Sequence, residues 1–362
     1  MIHIAVGTKA QVVKMAPVMW RLMEERVEFN LIDLGQHSSL TSKLRAEFGL
    51  AEPAVCLYKG KMVSSPAQAL GWLCGLGYKS ISSRWIKEKV FAGKYGICLI
   101  HGDTLSTLVG LYLAKRAGIK VAHIEAGLRS FRWLEPFPEE IIRVVGMRCS
   151  DLLFAPSAAA FNNLKKMGLS EKAVLLTGNT AIETVHASLK EGSRLSLKPD
   201  KFCLITFHRA ETIFSRKRLL SIIGMMSELA GAMPVVFVQH KSTLCQLARF
   251  NLLGRIYAIK NIFHYNILSH SHFIQLLKKC ELVVTDGGSI QEEAYYLGKP
   301  CLLLRSCTER DEGLGSNAEL CAFDRDKMRF FFSRYKTFER EIKPLPDVTP
   351  SSVIVDRLKQ YF

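Results

Sequence analysis

Three acidic side chains stand directly behind short apolar runs: Asp103 in HGDT, Glu125 in HIEAGLRS and Glu139 in PFPEE. A carboxylate held at a strand end is a candidate for proton transfer. Each also has an ordinary reading, as a helix cap or a solvated side chain. Pro136 and Pro138 shape the loop that carries Glu139. Different chemistry is written in TDGGSIQEEA, residues 285–294, where an apolar run enters Asp286-Gly287-Gly288-Ser289 and opens a helix containing Glu292 and Glu293. Glycines let backbone amides approach a diphosphate, the helix contributes its positive end, and the Ser289 hydroxyl adds a donor. Glu293 can accept hydrogen bonds from ribose hydroxyls. The alternative is a glycine turn whose acids complement the helix dipole. Beyond the next apolar run, RSCTER (305–310) offers Arg305 and Arg310, whose forked guanidiniums suit a diphosphate. A surface salt-bridge loop is the bland version. His208 in TFHRAE and His240 in VQH can donate to a phosphate or a leaving oxygen, or cap a helix as neutral rings. The histidines lack the spacing that gathers metal ligands, so no metal is expected.

These residues need elements to hold them. Short β-rich runs alternate with segments of helical length: IHIAVG, FNLIDLG, ICLIHGD, KVAHIEA, LLFAPS and VLLTGN, then FCLITFHRAE, PVVFVQH, LVVTDGG and CLLLRS. Each is apolar on both faces, the pattern of a parallel sheet covered by helices. The polar segment SLKEGSRLSLKPD, residues 188–200, contains Gly192 and Pro199 and reads as a linker. The expectation is an α/β chain of two Rossmann-like, doubly wound domains, 1–187 and 201–362, with the last helix packing back on the first domain. Ligands are then expected at the carboxyl ends of the strands, in an interdomain cleft.

Composition narrows the function. With 362 residues, nearly half of them apolar, the chain can bury two cores. The ten cysteines are scattered without a CxxC pair, which suggests reduced thiols and a cytoplasmic location. MIHIAVGT lacks the basic and long apolar regions of a signal peptide. LLSIIGMMSELAGAMPVVFVQ (219–239) is long enough to span a membrane, but Glu228 interrupts it and Gly231 to Pro234 punctuate it. A helix followed by a buried strand explains it better, so no membrane insertion is expected. The formal charge of +16 is spread through RLMEER, SRWIKEK, FSRKRLL and DRDKMRFFFSRYK, with neither a basic tail nor an RNA-binding aromatic signature. Solvated faces and phosphate contacts account for it without nucleic acid.

Taken in order, GTKAQVVKMAPV, GQH, HGDTLSTLVG, HIEAGLRS with PFPEE, FAPS, TGNT, FHRAE, TDGGSIQEEAYYLGKP and RSCTER resemble the non-hydrolysing UDP-N-acetylglucosamine 2-epimerase family over nearly the whole chain. The resemblance implies two Rossmann-like domains in a GT-B arrangement. It implies that Lys14, His208, Gly288, Ser289, Glu293 and Arg310 hold UDP, with Gly287 and His240 beside them and Phe273 next to the uracil. Asp103, Glu125 and Glu139 would surround the sugar, with Arg143 as a neighbour and His208 joining the catalytic group. The implied reaction interconverts UDP-N-acetylglucosamine and UDP-N-acetylmannosamine for cell-surface polysaccharide precursors, by elimination of UDP to a 2-acetamidoglucal and re-addition. No cofactor is implied. The expected partners are a UDP-sugar and a second copy of the chain in a homodimer. Gln36, Arg209 and Glu211 match part of an allosteric second sugar-nucleotide site.

The chain departs from the family at several points. Lys9, Ala10 and Gln11 replace Arg-Pro-Glu, Phe207 replaces a glycine, Ala210 an arginine and Asp311 a proline, and the usual Ser-Gly-Gly is permuted to end at Ser289. Alternatives therefore stay open: an epimerase of a diacetamido or uronic acid UDP-sugar, or a GT-B glycosyltransferase.

Overall fold

The computed structural model describes residues 1–58, 60, 66–79, 82–132, 138–190 and 199–361. Contacts divide the chain into two compact units, Met1–Thr184 with Leu345–Phe362, and Val185–Pro344. Of the expected linker, residues 188–190 finish the helix Ala181–Lys190, and 191–198 lie outside the described residues. Pro136 also lies outside them.

Among the described residues of the first unit seven strands follow one another: β1 (Ile2–Val6), β2 (Phe29–Asp33), β3 (Val55–Cys56), β4 (Ile97–His101), β5 (Lys120–Ile124), β6 (Leu152–Ala155) and β7 (Ala173–Leu175). They form one sheet in the order β3-β2-β1-β4-β5-β6-β7. Every pairing is parallel, with Ile2 opposite both Phe29 and Ile97. Alternation along β1 shows why both faces must be covered. Ile2, Ile4 and Val6 join a core with Met15, Val18 and Leu22 of the helix Lys9–Glu24. Ala5 faces the other way, into a core with Trp72 and Leu113.

The second unit repeats the plan with six strands among its described residues: β8 (Cys203–Thr206), β9 (Val235–Gln239), β10 (Ile262–Asn266), β11 (Leu282–Thr285), β12 (Cys301–Leu303) and β13 (Ala318–Leu320). Their order is β10-β9-β8-β11-β12-β13, again all parallel. Its core gathers Ile205, Phe237 and Val284 of the sheet with Ile222 and Met226 of the helix Arg216–Ala232. The stretch that tempted a membrane reading is this helix followed by β9. No helix among the described residues is long and apolar enough to cross a membrane.

The fold class is therefore two doubly wound, Rossmann-like α/β units. In each, the strand order reverses at one place, between β1 and β4 and between β8 and β11. Turns leaving those strands diverge to opposite faces and open a crevice at their carboxyl ends, where open sheets of this kind bind ligands.

Candidate functional site

In the first unit the crevice is closed by one buried amide. Thr8 caps the helix Lys9–Glu24, and Gln11 completes a reciprocal capping box. Gln11 Oε1 accepts from the Gly7 amide at 2.8 Å and from Ser106 Oγ at 2.8 Å, while its Nε2 donates to the His101 carbonyl at 2.9 Å. The turns after β1 and β4 are thus stapled together. Gly7 is required there, because an added Cβ would stand 2.5 Å from the Ser106 Cβ. Inside the same helix Pro17 lacks an N–H and releases the Val13 carbonyl. The Thr184 hydroxyl satisfies it at 2.8 Å, and Thr180 Oγ1 bonds the Lys14 carbonyl at 2.6 Å.

Lys14, so anchored, is buried against Glu125 Oε1. Asn179 Nδ2 donates to the same oxygen at 2.6 Å, and His101 Nε2 lies 3.7 Å from Oε2. Glu125 holds a left-handed backbone, φ 68°, at the end of β5. Asp103, one residue past the Gly102 turn, accepts from Arg143 Nη2. Arg143 also reaches Glu140 Oε2 at 3.4 Å, and Glu140 takes Arg129 Nε at 2.5 Å and the Ser130 amide at 3.0 Å. Burial raises the Glu140 carboxyl pKa, but the Ser130 amide and the Arg129 and Arg143 guanidiniums outweigh it, and the net shift is downward. Glu139 opens the helix Glu139–Cys149, partly buried and four residues before Arg143, so the two share a face. Gln36 accepts the Ser106 amide at 3.1 Å and so supports the β4 turn.

The second unit builds its crevice around Asp286, fully buried at the end of β11. Its carboxylate accepts the backbone amides of His208 at 3.0 Å and Arg209 at 2.9 Å, tying the β8 turn to the β11 turn. Burial pushes its pKa up, against the opposing bonds from those two amides. His208 stacks on His240, ring centroids 4.2 Å apart and planes 17° apart. Neither ring caps a helix: Arg209 and His240 occupy the N-cap positions of Ala210–Ile213 and Lys241–Arg249, and neither side chain makes the capping bond to the helix amides.

Gly287 is the N-cap of the helix Gly288–Tyr296, and Ser289 is its half-buried second residue. A Cβ on Gly288 would meet Arg310 Nε and Glu309 Oε1 at 3.2 Å, so glycine lets that arginine approach the helix end. Arg310 Nη1 bonds Glu292 Oε2 at 2.9 Å, and Arg305 Nη2 bonds Glu309 Oε2 at 3.0 Å. Both pairs are buried, so this is no surface salt-bridge loop. Gln291 fixes the segment further, donating to the Glu312 carbonyl at 2.8 Å and accepting from Thr308 at 3.0 Å. Glu293 Oε1 lies 3.2 Å from His270 Nε2, in the helix His270–Lys279 that also carries Phe273. Arg209 Nε sits 2.8 Å from Glu211.

The first unit thus gathers Asp103, Glu125, Lys14 and Arg143 as two carboxylate–cation pairs at one strand edge, with Glu139 on the Arg143 face. The second gathers His208, His240, Gly287, Gly288 and Arg310 around a helix N-terminus, an arrangement suited to an anion. Sequence reasoning passed over Gln11, Asn179, Glu140, Asp286 and Glu292 as site residues. Only Gln11 carried a local signal, three residues after Thr8 in a capping pattern. Among the described residues no cluster of His, Cys, Asp or Glu could hold a metal ion.

A family model described as UDP-N-acetylglucosamine 2-epimerase matches residues 21–341. The UDP-N-acetylglucosamine 2-epimerase of Methanocaldococcus jannaschii is 31% identical over 336 residues, covering 89% of this chain and 88% of that protein. A UDP-2,3-diacetamido-2,3-dideoxy-D-glucuronate 2-epimerase of Pseudomonas aeruginosa is also 31% identical, over 312 residues, covering 84% of this chain and 83% of that protein. The crystal structure of the Methanocaldococcus jannaschii UDP-GlcNAc 2-epimerase in complex with UDP-GlcNAc and UDP superposes with a TM-score of 0.86 at 28% identity, over 99% of both chains.

Proposed function

The chain belongs to the UDP-N-acetylglucosamine 2-epimerase family, and from that premise we propose that it inverts C2 of UDP-N-acetylglucosamine to give UDP-N-acetylmannosamine by eliminating UDP and adding it back. The observation that carries the proposal is the pair of carboxylates, Asp103 and Glu125, each set against a buried cation at the strand edge of the first unit. C2 of the sugar has no adjacent carbonyl, so its proton is not acidic until the C1–O bond begins to break. Leaving-group stabilisation must come first. Arg310, His208 and the amides opening the helix Gly288–Tyr296 are the donors for the departing diphosphate, and Lys14 adds a cation. One carboxylate then takes the C2 proton as the bond to UDP breaks, leaving a 2-acetamidoglucal. Return of a proton to the opposite face, with UDP oxygen rejoining C1, completes the inversion. Glu139 is assigned to the sugar with them, and Phe273 to the uracil.

Incubating the protein with UDP-N-acetylglucosamine in heavy water tests this. The proton spectrum should show UDP-N-acetylmannosamine carrying deuterium at C2, with free UDP and the glucal as minor species. Inversion without label at C2 would overturn the mechanism. The Pseudomonas relative favours a second reading, a diacetamido uronic acid substrate, and turnover of that nucleotide sugar alone would select it. A cytoplasmic location fits the ten unbridged cysteines. The family role in polysaccharide precursors and a homodimeric state complete the proposal, the latter checked by light scattering.

A further inference from the structure

His123 lies on β5, two residues before Glu125, and is 1% exposed. Its Nε2 is 2.8 Å from the Gly102 carbonyl. A carbonyl oxygen only accepts, so Nε2 carries the proton and the tautomer is fixed. On the other side of the ring, Nδ1 meets no hydrogen-bond partner among the described residues. That side faces Gly146, where an added Cβ would stand 2.9 Å from Cε1 and 3.2 Å from Nδ1. Burial lowers the basicity of the ring, outweighing the Gly102 carbonyl and the charges of Glu125 and Asp103. A neutral imidazole with one donor in use is the result.

Three elements that carry the site meet at this ring. Gly102 turns at φ +66° immediately before Asp103, and a Cβ placed on it would be 3.5 Å from Glu125 Oε2. Glu125 directly follows the strand of His123. Gly146 belongs to the helix that presents Glu139 and Arg143, and Arg143 bonds Asp103. We propose that His123 is a positioning residue, whose Nε2–H fixes the Gly102 peptide and so holds Asp103 in register with Glu125 and with the Glu139–Arg143 face. The assignment rests on reading Asp103 and Glu125 as the carboxylates that act on the sugar.

Three variants separate positioning from mere core filling. His123→Leu removes the donor, His123→Gln returns an N–H of similar reach, and Gly146→Ala pushes the unaltered ring away from the Gly102 carbonyl. His123→Leu and Gly146→Ala should lower kcat ~10- to 100-fold per folded protein, the scale of a misplaced catalytic group. KM should stay within about twofold, because ground-state binding is untouched. His123→Gln should recover most of the loss, and calorimetric affinity for UDP should match wild type in all three. If His123→Leu fails to fold, the Gln and Gly146→Ala variants decide. Wild-type kcat in Gly146→Ala, or a His123→Gln as impaired as His123→Leu, would overturn the assignment. Asp103→Asn distinguishes the two layers. Normal turnover there overturns the reading of the site itself, whereas a dead Asp103→Asn beside an active His123→Leu overturns the role of His123 alone.

Discussion

Glu125 shows what a single residue is made to tolerate. Its left-handed backbone, φ 68°, costs a non-glycine side chain about 1–2 kcal/mol. Strain of that kind persists where the surroundings over-determine it, and here Lys14 and Asn179 hold the carboxylate. Removing one member of a buried ion pair leaves its partner's charge in a poorly solvated place. Lys14→Met and Glu125→Gln should each destabilise the protein by about 3–5 kcal/mol. Removing both should cost clearly less than the sum, since neither charge is then stranded. Urea unfolding of the four proteins checks this, and strictly additive losses would show that the pair is uncoupled. The types and local settings of Asp103 and Glu125 were legible in the sequence, each in its own motif, and Lys14 was marked only by the family resemblance. Their pairing was not, because Lys14 and Glu125 lie 111 residues apart and only the folded sheet joins them. For the same reason Asp286 and Glu140 read as incidental acids. What distinguishes them is burial with amides and guanidiniums, which no short string of residues displays.

The helix Glu139–Cys149 shows how one element serves several tasks through its faces. Glu139 and Arg143 share a face, Gly146 receives the ring of His123, and Glu140 holds Arg129 and the Ser130 amide. Glu140 also makes a prediction about pH. Its folded-state pKa lies below the ordinary 4.5, so ionisation favours the folded form. That contribution is complete above the unfolded value and is lost as pH falls through the folded one. The stability gap between wild type and Glu140→Gln should therefore be widest near neutrality and shrink below about pH 4.5. A gap unchanged between about pH 7 and pH 3 would mean that Glu140 acts by shape rather than charge. Among elements, every strand foreseen as an apolar run is present. The strands not foreseen, β3, β10 and β13, all lie at sheet edges. β3 has two residues and β13 three, and β10 is half-exposed along its length. An edge strand is solvated on one side, so it lacks the continuous apolar signal that marks a central one. Residues 210–220 hold the ends of two helices, Ala210–Ile213 and Arg216–Ala232, because Ser215 caps a new start by accepting from the Arg218 amide.

At the scale of the whole molecule, one plan is used twice. Each unit reverses strand order once and staples the two diverging turns with one buried polar side chain, Gln11 in the first and Asp286 in the second. The first unit has acid–base groups on that frame and the second has donors for an anion. The alternation of apolar runs made this doubling legible. The chain also returns, since Leu345–Phe362 belongs with the first unit. The helix Pro350–Leu358 lies against Lys9–Glu24, and Ile354, Val355 and Leu358 are fully buried in the core that contains Val18 and Leu22. Glu183 fixes its start by accepting the Ser351 amide at 2.8 Å and the Ser351 hydroxyl at 2.5 Å. Burial pushes the Glu183 pKa up despite those bonds. The helix that presents Lys14 is thus supported from behind by the last residues of the chain. Leu358→Ala should remove about 2–5 kcal/mol of that support, the usual cost of emptying a buried leucine site. Because the two units have separate cores, the loss should appear as faster amide hydrogen exchange across Lys9–Glu24, with the helix Gly288–Tyr296 unchanged. Wild-type protection of Lys9–Glu24 in the variant would show that the returning helix merely covers the first unit without holding it.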